Sequence, residues 1–138
     1  MRWSGSLGAL GQTIDDSGFV TGFSTLVPSD EKVHAFTWVN GTMTDLGSAP
    51  GLPWSAITGR NAAGTMVGNI YDVSSPIAKF FEIHAFVYAG GAMVDLNSVA
   101  QSPLVLHTAL DVDDGGRILC TDGHVGDINA HGLLLTPK

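Results

Sequence analysis

Basic side chains, cysteine and helical periodicity are all scarce in this chain, and each shortage removes a class of function. Only six Lys and Arg stand against thirteen Asp and Glu, a formal net charge of −7 over 138 residues. Nucleic acid and anionic membranes are disfavoured as partners, because phosphate binding needs clustered basic side chains. The single cysteine, Cys120, permits no intrachain disulfide. No apolar run approaches the ~20 residues of a membrane-spanning helix, and the opening Met1-Arg2-Trp3-Ser4-Gly5 does not read as an export signal. No stretch holds a helical apolar period over three turns. Nucleophile elbows, phosphate-binding loops and paired-carboxylate motifs are also missing, so no cofactor is implied. Charged residues make up 14% of the chain while glycine occurs 18 times, the profile of short strands joined by tight turns.

What the chain has instead is a repeat. His34-Ala35-Phe36-Thr37-Trp38-Val39-Asn40-Gly41-Thr42-Met43-Thr44-Asp45-Leu46 returns as His84-Ala85-Phe86-Val87-Tyr88-Ala89-Gly90-Gly91-Ala92-Met93-Val94-Asp95-Leu96. Each copy sets two apolar runs around an Asn-Gly or Gly-Gly joint, the residues that tolerate the positive φ a type I′ hairpin turn needs at both central positions. With that turn, Val39 faces Thr42, Trp38 faces Met43 and Phe36 faces Asp45. One face of the hairpin then carries His34, Phe36, Trp38, Met43 and Asp45, and the other Ala35, Thr37, Val39 and Leu46. Both are largely apolar, so both are expected to be buried, as in a blade stacked between two neighbours.

A further hairpin precedes each His-led run, turned at Asp15-Asp16-Ser17-Gly18, Asn61-Ala62-Ala63-Gly64 and Asp113-Asp114-Gly115-Gly116. A third His-led strand, His131-Gly132-Leu133-Leu134-Leu135, has no partner after it. The expected fold is all-β: one domain, 1–138, of three propeller-blade-like repeats of about four antiparallel strands. The units run approximately 12–47, 56–97 and 106–138, the last completed by 3–11. Gly5-Ser6-Leu7-Gly8-Ala9-Leu10-Gly11 aligns with Gly41 to Gly47 and is expected to pair beside Gly132 to Leu135, hiding two strand edges. That closure gives a three-fold barrel or prism if made within the chain, and a dimeric six-blade ring if made between chains.

The combined pattern, Asn or Asp-x-x-Gly-x-x-x-Gly, then His-Ala-Phe-x-Trp, then Gly-x-Met-x-Asp-Leu, resembles the bacterial HAF repeat, named for its His-Ala-Phe tripeptide. The resemblance covers nearly the whole chain and includes the ending His131-Gly132-Leu133-Leu134-Leu135-Thr136-Pro137, similar to the close of such arrays. It implies a propeller-like, extracellular protein of unassigned function, whereas this chain shows no export signal and only about three units.

Candidate sites are few. His34 with Asp45, and His84 with Asp95, share a hairpin face near enough for an imidazole–carboxylate hydrogen bond. A general base is one reading, but the pair recurs in successive units, which favours a structural role in strand pairing, with His131 as its third member. Asp111, Asp113 and Asp114, with Asp15 and Asp16 at the equivalent turn, are the weak candidates for a calcium loop, although Asp-Asp-Gly-Gly is ordinary turn chemistry. His107, His124 and His131 bracket Asp122 and Asp127 without the spacing of a zinc site. Cys120 reads as a buried, inert thiol. Trp54, in a loop unlike those of the other units, is the leading binding candidate, with Phe80 and Phe81 beside it; a ring anchoring the loop to the core is the plainer reading of Trp54. The expected function is a non-catalytic binding or assembly module, forming homo-oligomers with a dimer first, whose loops meet a protein or glycan. The alternatives are a propeller-type glycan hydrolase or lyase, and a piece of a longer exported array.

Overall fold

The two-residue joints adopt the conformations their residues favour. Asn40 and Gly41 have φ of 49° and 84°, and Gly90 and Gly91 of 59° and 81°, the left-handed pair that lets two strands leave a turn with matching twist. The computed structural model describes residues 8–26, 32–73, 82–123 and 127–138. Across them run β1 (Ala9–Ile14), β2 (Val20–Thr25), β3 (Val33–Val39), β4 (Thr42–Asp45), β5 (Trp54–Arg60), β6 (Met66–Asp72), β7 (Glu82–Ala89), β8 (Ala92–Asp95), β9 (Thr108–Val112), β10 (Ile118–Thr121) and β11 (Gly132–Leu135), with one short 3-10 turn at Leu96–Ser98. The protein is all-β, built of three antiparallel sheets ordered β1-β2-β3-β4, β5-β6-β7-β8 and β9-β10-β11. The hairpin register is the expected one: Val39 opposes Thr42, Trp38 opposes Met43 and Phe36 opposes Asp45, with Ala89–Ala92, Tyr88–Met93 and Phe86–Asp95 repeating it.

The sheets stack in sequence order. The first strand of each later sheet lies across the sheet before it, β5 against β1, β2 and β3, and β9 against β5, β6 and β7. Two cores result. Ala35 of the first sheet packs with Ile57, Met66, Ile70 and Phe86 of the middle sheet. From the opposite face of the middle sheet, Val67 and Ala85 pack with Ala109, Val112, Ile118 and Cys120 of the third. The middle sheet therefore hides both surfaces, which is why its strands lack a polar face. Phe36 and Phe86, at 3% and 0% exposure, are both buried.

Hydrogen bonds tie each unit to the next through the alanine of its His-Ala-Phe run. The Ala35 N–H donates to Ser55 Oγ at 2.8 Å, whose hydroxyl donates to the Gly47 carbonyl at 2.5 Å. The Ala85 N–H donates to the Leu106 carbonyl at 2.8 Å. Leu106 in turn is bracketed by Asn97, whose Nδ2 donates to that carbonyl at 2.9 Å and whose Oδ1 accepts from the Leu106 N–H at 2.7 Å.

One irregularity occurs three times. Gln12, Thr58 and Leu110 are each an extra, unpaired residue at the same place in β1, β5 and β9, a β-bulge that bends the strand. The residue facing it is Gly22 in β2 and Gly68 in β6. A Cβ on either would come within 2.0 Å of a carbonyl oxygen, that of Leu10 or Ala56, so the close approach needs glycine. Cys120 takes the place in β10, fully buried.

The opening segment departs from its expected place. The Gly8 carbonyl accepts from the Thr25 N–H at 3.0 Å, and Ala9 and Leu10 pair with Ser24 and Phe23 of β2. These residues start the first sheet and do not lie beside Gly132 to Leu135. The small residues of Gly5 to Gly11 carry too weak an alternation to specify register. Residues 1–7 lie outside the described residues, among which β11 pairs with β10 alone and no closed barrel forms.

Candidate functional site

All three repeated histidines hold a carboxylate. His34 Nδ1 lies 3.0 Å from Asp45 Oδ1, and His84 Nδ1 lies 2.6 Å from Asp95 Oδ2. Each pair links the start of one strand to the end of the next, and each aspartate also accepts a backbone N–H two residues on, from Gly47 at 2.7 Å and Asn97 at 2.8 Å. The third unit reaches the same result differently. His131 Nδ1 lies 2.8 Å from Asp122 Oδ2, and the His131 N–H donates to Asp122 Oδ1 at 2.6 Å. Asp122 sits just past β10 and faces His131 from the side opposite to Asp45 and Asp95. It occupies the register position of Ser24 and Ile70, so the carboxylate comes from the preceding strand and none is needed from a fourth. The donated N–H groups, the backbone one foremost, hold the Asp122 carboxyl below the usual carboxylate range.

The turns β1–β2, β5–β6 and β9–β10 meet around an open cleft of about 640 Å³ whose polar lining is Asp15, Asp16, Arg60, Asp111, Asp113 and Asp114, with Ser17 and Asn61. The first residue of each turn closes it in one manner. Asp15, Asn61 and Asp113 accept through a side-chain oxygen from the N–H four residues on, that of Phe19 at 3.1 Å, Thr65 at 2.9 Å and Arg117 at 2.8 Å. The middle unit then grips both neighbours. Arg60 Nη1 donates to Asp15 Oδ2 while its guanidinium sits 4.1 Å from the Phe19 ring centre. Asn61 Nδ2 donates to the Asp113 carbonyl at 3.0 Å, and the Ala62 N–H to Asp114 Oδ1 at 2.9 Å.

These bonds set the ionisation of two acids. The Ser17 hydroxyl, with the Phe19 N–H and Arg60, brings Asp15 down to about 2. The Arg117 N–H and guanidinium likewise hold Asp113 below the ordinary range. Both are committed acceptors, poorly suited to hand a proton to a substrate. Asp111 Oδ1 accepts from the Val112 N–H at 2.9 Å. Among the described residues, no group of three or more His, Cys, Asp and Glu side chains is arranged to hold a metal ion.

Of the binding candidates, Trp54 is the first residue of β5, 7% exposed, and stacks on Tyr71 with ring centres 6.2 Å apart. Its ring anchors the strand to the core. Phe80 and Phe81 lie outside the described residues, as does His124 of the third-unit histidine group; the His107 N–H donates to the Thr121 carbonyl at 2.9 Å. Cys120 is buried, and burial pushes its thiol up to about 11. Arg60 escapes a reading of the sequence alone, as do the bonds that Asn61 and Asp122 make, because their partners belong to other units or to a neighbouring strand. The one available signal for Asp122 is its register opposite His131.

Comparison with known proteins adds no kinship: no family model, no curated protein and no solved structure matches the chain.

Proposed function

We propose that this chain is a non-catalytic β-repeat module that works by assembly and by presenting its connecting loops, the acid-lined turns included, to a protein or glycan. The observation that carries the reading is how the polar side chains are used. The three His–Asp pairs, Asp15 and Asp113 are all engaged within the turns and hairpins that hold the units together. A finer architecture belongs to the same reading: two chains form a six-unit propeller-like ring. Kinship with HAF-repeat arrays goes with it, supported by the recurrence of His34, His84 and His131 at one register.

A second reading, a glycan hydrolase or lyase, draws support from Asp16, Asp111 and Asp114 converging on one cleft. The two part in a single experiment, in which the chain is incubated with a panel of polysaccharides and both retention and product are followed. Retention without new reducing ends or unsaturated products is expected. Turnover that Asp16→Asn or Asp114→Asn abolishes would establish the enzyme instead.

A further inference from the structure

The stack obeys one rule: the face of a sheet that carries Ala35 or Val67 receives the first strand of the next sheet, on the face that carries Phe86 in the middle sheet and Val112 and Ile118 in the third. Applied to the ends of the chain, the rule leaves one face of each end sheet with no described sheet across it, although Phe36 on that face of the first sheet is itself buried. Leu119 of the third sheet is 43% exposed, though its register equivalents Thr21 and Val67, facing a following sheet, are both at 0%, and Leu134 is 59% exposed where its equivalent Thr37 is at 8%. The bulged Leu110 beside them is 45% exposed. At the other end, Ile14 of β1 is 74% exposed where its equivalent Val112 in β9 is 4% exposed. Met43 opens to 36% on the same face. Most of β5 is buried, whereas β1, built to the same plan with the same bulge, has only Thr13 less than exposed. Each end is thus one half of an interface that the chain already makes twice.

We infer that the two halves meet between copies: the third sheet of one chain receives β1 and the first sheet of a second copy, in the geometry of the two internal sheet–sheet contacts. Two chains related by a two-fold axis cover all four open faces at once. Six sheets then follow one another around a ring, within the roughly four to eight of closed propellers. Continuity decides for a second copy over a different partner, because the exposed leucines already have the shape and register of a surface that seats a strand like β1. The apolar patches would otherwise stand in water. The inference rests on the assembly reading above and adds to it which faces join and in what sense.

Charge-swap variants test it. Light scattering on the unmodified chain is expected to give twice 14.4 kDa. Leu134→Glu and Ile14→Lys, both at exposed positions, are each expected to halve that mass with an unchanged circular dichroism spectrum. Mixing the two variants is expected to restore the doubled mass, since a mixed pair has one Glu–Lys contact and one native contact. A single-chain particle for the native protein would overturn both this inference and the assembly reading. A native dimer that neither variant dissociates, or variants that mixing does not rescue, would overturn the face pairing and leave assembly standing. A mass rising beyond two chains would overturn the closed pair.

Discussion

At the scale of single residues, fit and hydrogen bonding decide the outcome. Gly68→Ala forces a Cβ to 2.0 Å from the Ala56 carbonyl oxygen, and the strand shift that relieves it is expected to cost about 1–3 kcal/mol by urea unfolding. Asp15, at about 2, and Asp113 and Asp122, held low, bind protons more weakly folded than unfolded. Their contribution to stability is full above the unfolded carboxylate value of about 4 and is lost as pH falls towards 2. Denaturant midpoints measured down that range should fall, and should fall less for Asp15→Asn. Cys120, buried with a raised pKa, should react with a thiol reagent near pH 8 only after unfolding. The His34–Asp45 and His84–Asp95 pairs were legible in the sequence, because a hairpin fixes which side chains share a face. The His131–Asp122 pair was not, because its carboxylate crosses from a strand that in the other units offers Ser24 and Ile70.

At the scale of elements, stability depends on how each unit is latched to the next. Ser55→Ala leaves the buried Ala35 N–H and the Gly47 carbonyl without their shared hydroxyl, and Asn97→Ala leaves the Leu106 N–H without its acceptor and the Leu106 carbonyl with the Ala85 N–H alone. Each is expected to cost about 1–3 kcal/mol in thermal or urea unfolding. The hairpins and their register could be read from Asn40-Gly41 and Gly90-Gly91, since turn chemistry is local. The latches could not, as Ser55 and Asn97 look like ordinary loop polarity until the units are stacked. The Gly8 to Gly11 stretch misled because Gly-Ala-Leu-Gly offers too little contrast to distinguish the last strand of one unit from the first strand of the next. Trp54 shows the limit from the other side: a tryptophan between Pro53 and Ser55 suggests a loop, and only the Tyr71 ring behind it reveals a strand start.

At the scale of the whole molecule, the apolar character of both hairpin faces was the most informative signal, and the middle sheet realises it on both sides. The end sheets carry the same composition with one neighbour each among the described residues. If two chains share those faces, the melting temperature of the native protein should rise with protein concentration, as mass action requires, and that of Leu134→Glu should not. The acid-lined cleft was only partly legible: the aspartates were visible as turn residues, but their convergence depends on three turns meeting, with Arg60 between them.

The threefold bulge bears on how such a chain survives at high concentration. β1, β5 and β9 each lie at the border of their sheet, where a straight run of free N–H and C=O groups would invite a foreign strand and, from there, fibril growth. The additional residue at Gln12, Thr58 and Leu110 kinks every one of these borders at mid-length, so that an incoming strand finds only a few groups in step before the pairing runs out. An apolar, strand-rich sequence thereby carries its own guard against amyloid, spaced once per unit along the chain.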